Sequence, residues 1–459
     1  MSTTGKRDFR PKIHFTPETG WMNDPNGMVY ENGVYHLYYQ YYPYGTSWGP
    51  MHWGSAVSRD LLHWEHRPIA LYPDELGMIF SGSAVYDQHN DSGYGLRDVP
   101  PIVAMYTNHE VVDNGVEMQS IAYSVDGGVH FEKSYLNPVI PNPGISDFRD
   151  PKLFWNPVDG CWGVVVAAQD RVHFYASTDL KTWEKTGEFG PKGNHAPGVW
   201  ECPDLFPLKF RDETIWVLSV SMTRVREEDW CRTQYFLGDF DGKRFVCTHP
   251  SDEPLWLDAG FDCYAGVTIQ NSPEPLFMAW AMNWEYADAS PTGEYCGSTT
   301  LPRKLRIVET EYGLRIASSP AGLKKYQHNA YPLENGNGIF KETFGLKIKG
   351  NGNGKISLAN GSGQKLTLKV EDGEVIVSRR LGGYREFSDA YMEERLSVSR
   401  VMRLRRDAWS MEVVFDVSVL EVFVDDGVET ITQAVYPDTP YDRITWEGDV
   451  SVELYEIDA

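Results

Sequence analysis

"NDPNGMVYENGVYHLYYQ", residues 23–40, carries the pattern on which the fold turns. A carboxylate and a proline lead into a short apolar run, a Glu-Asn-Gly turn follows, and a longer run of aromatic and β-branched residues closes the unit. Asn, Asp, Pro and Gly make turns for local reasons, whereas Val and Tyr suit a pleated surface. The pattern recurs in "RDPKLFWNPVDGCWGVVVAA" (149–168) and "ECPDLFPLKFRDETIWVLSV" (201–220). "FSGSAVYD" (80–87) and "FDCYAGVTI" (261–269) open two further units that lack the acidic residue.

A second element repeats in step with the first. "SRDLLHW" (58–64), "SVDGGVHF" (124–131), "STDLKTW" (177–183) and "GDFDGKRF" (238–245) each place Asp60, Asp126, Asp179 or Asp241 in a turn before an aromatic. Helical periodicity is scarce, and short strands alternate with turn clusters throughout. Five units fit between about residue 14 and residue 315. Repeated sheets of this size close radially into a propeller whose innermost strands line an axial channel. The predicted fold is therefore all-β, a five-bladed β-propeller over 1–318. A linker over 319–339 and a β-sandwich over 340–459 follow, the latter from alternating strands such as "LKIKGNGNGKISLANGSGQKLTLKVEDGEVIVS". "YMEERLSVSRVMRLRRDAW" (391–409) is ambiguous between helix and strand, and its arginines read as a solvated face.

Lys and Arg total 42 against 65 Asp and Glu, a formal net charge of −23. Such a surface repels nucleic acid and anionic membranes, so neither is expected as a partner. The six cysteines show no metal-ligand spacing and read as buried thiols. "MSTTGKRDFRPKIHF" has no apolar leader segment, which gives the expectation of a cytoplasmic protein. Oligomeric state is left open.

If the acidic turns occupy equivalent places on inner strands, Asp24, Asp150 and Glu201 converge on the axis. Two carboxyls facing each other across a pocket are the minimum for glycosidic bond cleavage, one attacking and one protonating the leaving oxygen. Glu201, between Trp200 and Cys202, has an expected low-polarity setting that favours a protonated acid. Asp24 sits where a turn offers backbone N–H groups, and Arg149 is expected to hold Asp150 ionised. Trp48, Trp53, Trp200 and Trp284 are expected mainly in the core.

"WMNDPNG", "YYQYYP", "IFSGSAV", "FRDPK", "WECPDLF", "YFLGDFDG" and "TTLPRKL", with "VVFDVSVLEVFVDDG" later, occur in the order and spacing of glycoside hydrolase family 32. The resemblance spans essentially the whole chain. It implies a β-fructosidase of the invertase, levanase and exo-inulinase group, with Asp24 as nucleophile, Glu201 as acid/base and Asp150 as transition-state stabiliser. It further implies Asn23, Gln40, Trp48, Phe80, Ser81, Arg149 and Trp284 around a terminal fructosyl unit. Retention of configuration, a fructoside as the binding partner and no metal or other cofactor follow from the same resemblance. Tyr42, Ser55 and "MAWAMNW" (278–284) depart from the family pattern near the expected pocket rim, where they bear on leaving-group preference. Close relatives of levanase and exo-inulinase type are favoured, with sucrose-6-phosphate hydrolase and fructosyltransferase as alternatives. A propeller that binds sugar without cleaving it is the reading from another class.

Overall fold

The computed structural model describes residues 7–110, 115–191, 198–224, 226–227, 229–338, 341–402 and 407–458. Five antiparallel sheets succeed one another along the first two-thirds of the chain, with inner strands Gly20–Glu31, Met78–Tyr86, Phe148–Asn156, Trp200–Phe210 and Tyr264–Thr268. Each inner strand packs against the next, and the fifth returns to the first, so the ring closes. The repeated Asp turns join the third strand to the fourth in four blades. Asp60 and Asp179 each accept two backbone N–H groups, Leu62 and His63 for the first, Lys181 and Thr182 for the second. A carboxylate that replaces lost ladder partners in this way lets a sheet reverse in few residues. The fifth blade turns instead through the tight hairpin Thr310 to Gly313.

The blades are held mainly by what lies between them. Val29, Tyr38, Trp53, Ile79 and Tyr106 fill the seam between blades one and two. Val103, Phe148, Leu153 and Val164 fill the next, Phe154, Trp200, Leu218 and Phe236 the third, and Leu208, Leu237, Phe277 and Ile307 the fourth. Fully burying one such side chain stabilises by about 1.5–3 kcal/mol, against about 1 kcal/mol for a typical hydrogen bond, so apolar seams dominate. The seam between blades five and one differs. Trp21, Met28, Trp280 and Tyr286 meet there with Tyr391, Leu396, Ala434 and Tyr436 of the C-terminal domain.

That domain is a sandwich built around two long paired strands, Thr343–Ala359 and Arg443–Ile457. Their common break between Asn351 and Gly354 bends both. On one side of the bend Thr343–Ala359 pairs with Ala408–Asp416, on the other with Lys365–Glu371, so two sheets face each other over Phe344, Ile356, Leu368, Val413 and Val422. The segment 319–339 does more than link. Its strand Gln327–Pro332 pairs with Arg443–Ile457 and so belongs to the sandwich, because alternate residues there extend an otherwise open sheet edge. The ambiguous stretch after Tyr391 splits into a 3-10 turn, Glu394–Leu396, and a strand, Val398–Met402. Arg400 lies on a solvated face beside Glu374, but Arg395 bridges to Glu285 of the propeller. Arg403, Arg405 and Arg406 lie outside the described residues. Among the described residues no helix is long and apolar enough to cross a membrane.

Candidate active site

All five inner strands break register at the same end of the ring. Two inner-strand residues face one residue of the neighbouring strand between Met22 and Pro25, Ile79 and Gly82, Arg149 and Lys152, Glu201 and Asp204, and Tyr264 and Val267. A bulge of this kind bends the strand and re-aims the side chains within it. In the last three blades it places Asp150, Cys202 and Ala265 at positive φ (62°, 44° and 53°). A proline or glycine follows the key residue every time, as Asp24-Pro25, Ser81-Gly82, Asp150-Pro151, Cys202-Pro203 and Ala265-Gly266. Aligned on this feature, Cys202 is the counterpart of Asp24 and Asp150, and Glu201 sits one place earlier beside Asn23, Phe80, Arg149 and Tyr264. The three carboxylates do converge, but not from one equivalent position.

The bulges surround a cavity of about 720 Å³, lined by Asn23, Asp24, Gln40, Trp48, Phe80, Ser81, Arg149, Asp150, Glu201 and Trp284. Every residue that the resemblance assigns to the catalytic set or to the fructosyl unit is therefore at the cavity. Asp24 accepts hydrogen bonds from the Asn23 amide (2.9 Å), the Ser81 hydroxyl (2.6 Å) and the Cys202 thiol (3.3 Å). Its donors are side chains and not the backbone N–H groups expected of the turn, because the turn is drawn out into a strand. Asn23 is itself held by the Trp21 indole (2.8 Å), and Gln40 donates to Asn26 (2.8 Å) and to the Ile79 carbonyl (3.0 Å).

Arg149 does not bond Asp150. Its guanidinium contacts Glu201 (2.8 Å), Asp147 (2.7 Å) and Glu117 (3.1 Å), while its neighbour Asp150, at positive φ, turns to the Cys202 N–H (2.9 Å). The expected low-polarity setting of Glu201 is also absent. Trp200 points into the seam with Phe189 and Phe236, leaving Glu201 between the Arg149 guanidinium and a short hydrogen bond from the Tyr264 hydroxyl. Burial pushes Asp24 up from the ordinary carboxylate range, against the pull of Ser81 and Asn23. Burial also pushes Asp150 up to about 8, with Arg149 pulling it down and the charges of Asp24 and Glu201 pushing the same way as burial. Asp24 and Asp150 share one desolvated space, which disfavours charge on both at once. The expectation that Arg149 keeps Asp150 ionised is thus overturned by geometry and by burial.

The tryptophans divide. Trp53 and Trp200 are core, whereas Trp48 is 43% exposed at the cavity wall, and Trp284 lines the cavity with its ring stacked on Trp21. Phe80 lies flat against His109 at 4.3 Å. Ser55, expected near the rim, is buried in the third strand of blade one, opposite Tyr38. Sequence reasoning missed His109, Glu117, Asp147, Cys202 and Tyr264. Cys202 and Tyr264 lie at the bulges, and the Pro/Gly alignment of the five units would have found them. Further along the same inner strands the buried Lys152 amine sits 3.3 Å from the Asp204 carboxylate, which also accepts from Thr268.

Two family models match in tandem and cover nearly the whole chain. The one for the glycosyl hydrolases family 32 N-terminal domain matches residues 14–319, and the one for the family 32 C terminal matches residues 336–457. The chain belongs to glycosyl hydrolase family 32. It is a glycoside hydrolase, and its fructosidase relatives agree. This family 32 enzyme is 40% identical over 94% of its length to a levanase of Bacillus subtilis, covering 67% of that protein. It is 32% identical to an extracellular exo-inulinase of Aspergillus awamori, covering 98% of this chain and 94% of that one. The crystal structure of exo-inulinase from Aspergillus awamori superposes on the family 32 enzyme with a TM-score of 0.88 at 29% identity, over 99% of both chains. A β-fructofuranosidase from Schwanniomyces occidentalis, solved with fructosyl-erythritol, gives 0.88 at 28% identity, over 100% of this chain and 99% of that one.

Proposed function

We propose that this family 32 enzyme is a retaining exo-β-fructosidase that removes terminal fructofuranosyl units from β-fructan oligosaccharides and sucrose. The observation that carries the reading is the convergence of Asp24, Asp150 and Glu201 on one cavity. The exo mode is supported by the exo-inulinases among the relatives, to one of which the chain is 32% identical. Asp24 attacks the anomeric C2, the bond from C2 to the leaving oxygen breaks, and Glu201 gives its proton to that oxygen. Glu201 then takes a proton from water, which attacks C2 and releases Asp24. Arg149 and Tyr264 fix the Glu201 carboxyl through both steps. Asp150, whose carboxyl burial pushes up to about 8, can donate to or accept from the fructose hydroxyls as they arrive. Asn23, Gln40, Phe80, Ser81, Trp48 and Trp284 shape the remainder of the fructosyl site.

Sucrose-6-phosphate is the weaker substrate. The described cavity wall carries Asp24, Glu117, Asp147, Asp150 and Glu201, and its guanidinium, Arg149, is already engaged by three of them. A phosphate dianion entering there meets net repulsion. A cytoplasmic location belongs to the same proposal. It is supported by the six cysteines, all free thiols, and is tested by cell fractionation.

Chromatographic product analysis with nystose, a levan oligosaccharide, sucrose and sucrose-6-phosphate tests the reading, with Asp24→Asn in parallel. Stepwise fructose release that vanishes in the variant is the expected result. Longer fructosides as products would make the chain a transferase, and binding without any product would make it a sugar-binding propeller. Glu201→Gln is expected to lower turnover of these sugars at least a hundredfold while sparing a fructoside whose leaving group needs no proton. Equal losses on both substrates would remove Glu201 from the acid role.

A further inference from the structure

Tyr42 ends the second strand of blade one, opposite Trp21, and so lies at the cavity end of the ring. His52, opposite Tyr41, begins the third strand, and Tyr72 follows Leu71 at the end of the fourth, so all three stand along one edge of the blade, ordered outward from the axis. The loop 43–50 lies across the Tyr42 ring. A Cβ on Gly49 would come within 2.7 Å of that ring, and one on Gly45 within 3.3 Å, so glycine is what lets the loop lie flat there. The same loop carries Trp48 into the cavity wall and Tyr44 away from it. Tyr44 is 76% exposed and meets His52 edge-on at 6.1 Å, and His52 meets Tyr72, 53% exposed, at 5.5 Å. Burial holds His52 below the usual imidazole range, so the link between the two tyrosines is uncharged near neutral pH.

Tyr44 also meets Tyr42 edge-on at 5.8 Å, yet most of Tyr44 and about half of Tyr72 face solvent, more than packing requires of an aromatic row. The row continues radially from the cavity. We infer that Tyr44 and Tyr72, joined through His52, form a sugar-binding track for the units of an oligofructoside that lie beyond the scissile bond. The faces of the rings accept the apolar C–H faces of successive sugar units, and the Lys133–Asp74 ion pair (2.6 Å), beside the Tyr72 carbonyl, offers partners for their hydroxyls. The track rests on the proposed reading of the cavity as a fructosidase site. It assigns chain-length preference to blade one and separates it from the chemistry at the axis.

Steady-state kinetics of Tyr44→Ala, Tyr72→Ala, the double variant and Tyr44→Phe, on sucrose and on a long-chain fructan, test the track. KM for the long chain is expected to rise about three- to tenfold in the double variant, in the range of one or two lost aromatic contacts, with kcat unchanged. Sucrose, whose single leaving unit does not reach Tyr72, keeps its parameters in Tyr72→Ala, and Tyr44→Phe keeps most of the long-chain affinity. An unchanged long-chain KM, or a KM that rises equally on sucrose, would overturn the track while leaving the fructosidase reading intact. A wild-type enzyme that cleaves neither substrate would remove that reading, and the track with it.

Discussion

Ser81 bears, through one hydroxyl, on the charge of the proposed nucleophile, Asp24. Asp24 is buried, which raises it, and Ser81 donates to it at 2.6 Å, which lowers it. A hydrogen bond to a charged group is worth about 1.5–3 kcal/mol, and one pKa unit is about 1.4 kcal/mol. Ser81→Ala is therefore expected to move the acidic limb of kcat/KM upward by about one pH unit and to lower kcat. A limb that stays in place would show that Asp24 does not set it. The carboxylates themselves were legible from their turns. Their partners were not, because a dipeptide such as Arg149-Asp150 says nothing about which way each side chain leaves a bulge. Arg149 goes to Glu201 and Asp150 to the Cys202 backbone, so adjacency in sequence pointed to the wrong ion pair.

The bulged inner strand is the element that converts a structural repeat into a site. Strand, turn and strand could be read from hydrophobic runs, and the Asp turns marked where the third strand reverses. The extra residue left a trace too, in the proline or glycine after each key position, but apolar periodicity alone does not reveal it. Gly82 is the sharpest test, since an added Cβ would lie 2.0 Å from the Met105 carbonyl oxygen of the neighbouring strand. Backbone cannot yield there without moving Ser81 away from Asp24. Gly82→Ala is expected to destabilise by about 2 kcal/mol or more and to lower kcat at least tenfold, read by thermal melts and by turnover of sucrose. Wild-type values of both would show that the bulge tolerates a side chain and does not set the site.

Across the whole molecule the N-terminal arm ties propeller to sandwich through a buried imidazole. His14 lies between Asp416 (2.8 Å) and Glu421 (3.0 Å), and Arg303 joins Glu421 to Asp258. Burial alone would lower His14, but the hydrogen bonds and charges of the two carboxylates push it up to about 9. A pKa raised above the unfolded value of about 6.5 contributes stability that is complete below that pH and is lost as the pH rises through about 9. The stability difference between wild type and His14→Gln is expected to shrink by about 3 kcal/mol between pH 6 and pH 10, measured by chemical denaturation. A constant difference would mean that His14 is neutral in the folded protein. Nothing in residues 7–20 announces this role, because its partners are some four hundred positions away (His14 and Asp416 are 402 apart).

The clasp bears on the order in which the molecule can be made. Each blade is a contiguous length of chain and can assemble as it leaves the ribosome. The last joint is different, since strand Gly20–Glu31 must meet Tyr295–Cys296 and Gln270, and sandwich residues fill the seam between them. Asp416, Glu421 and Tyr436, which grip or cover that joint, emerge after every blade. The sandwich residues that cover this joint therefore reach it only after all five blades have emerged. The sandwich acts as the keystone of the ring, set in place after the blades it holds.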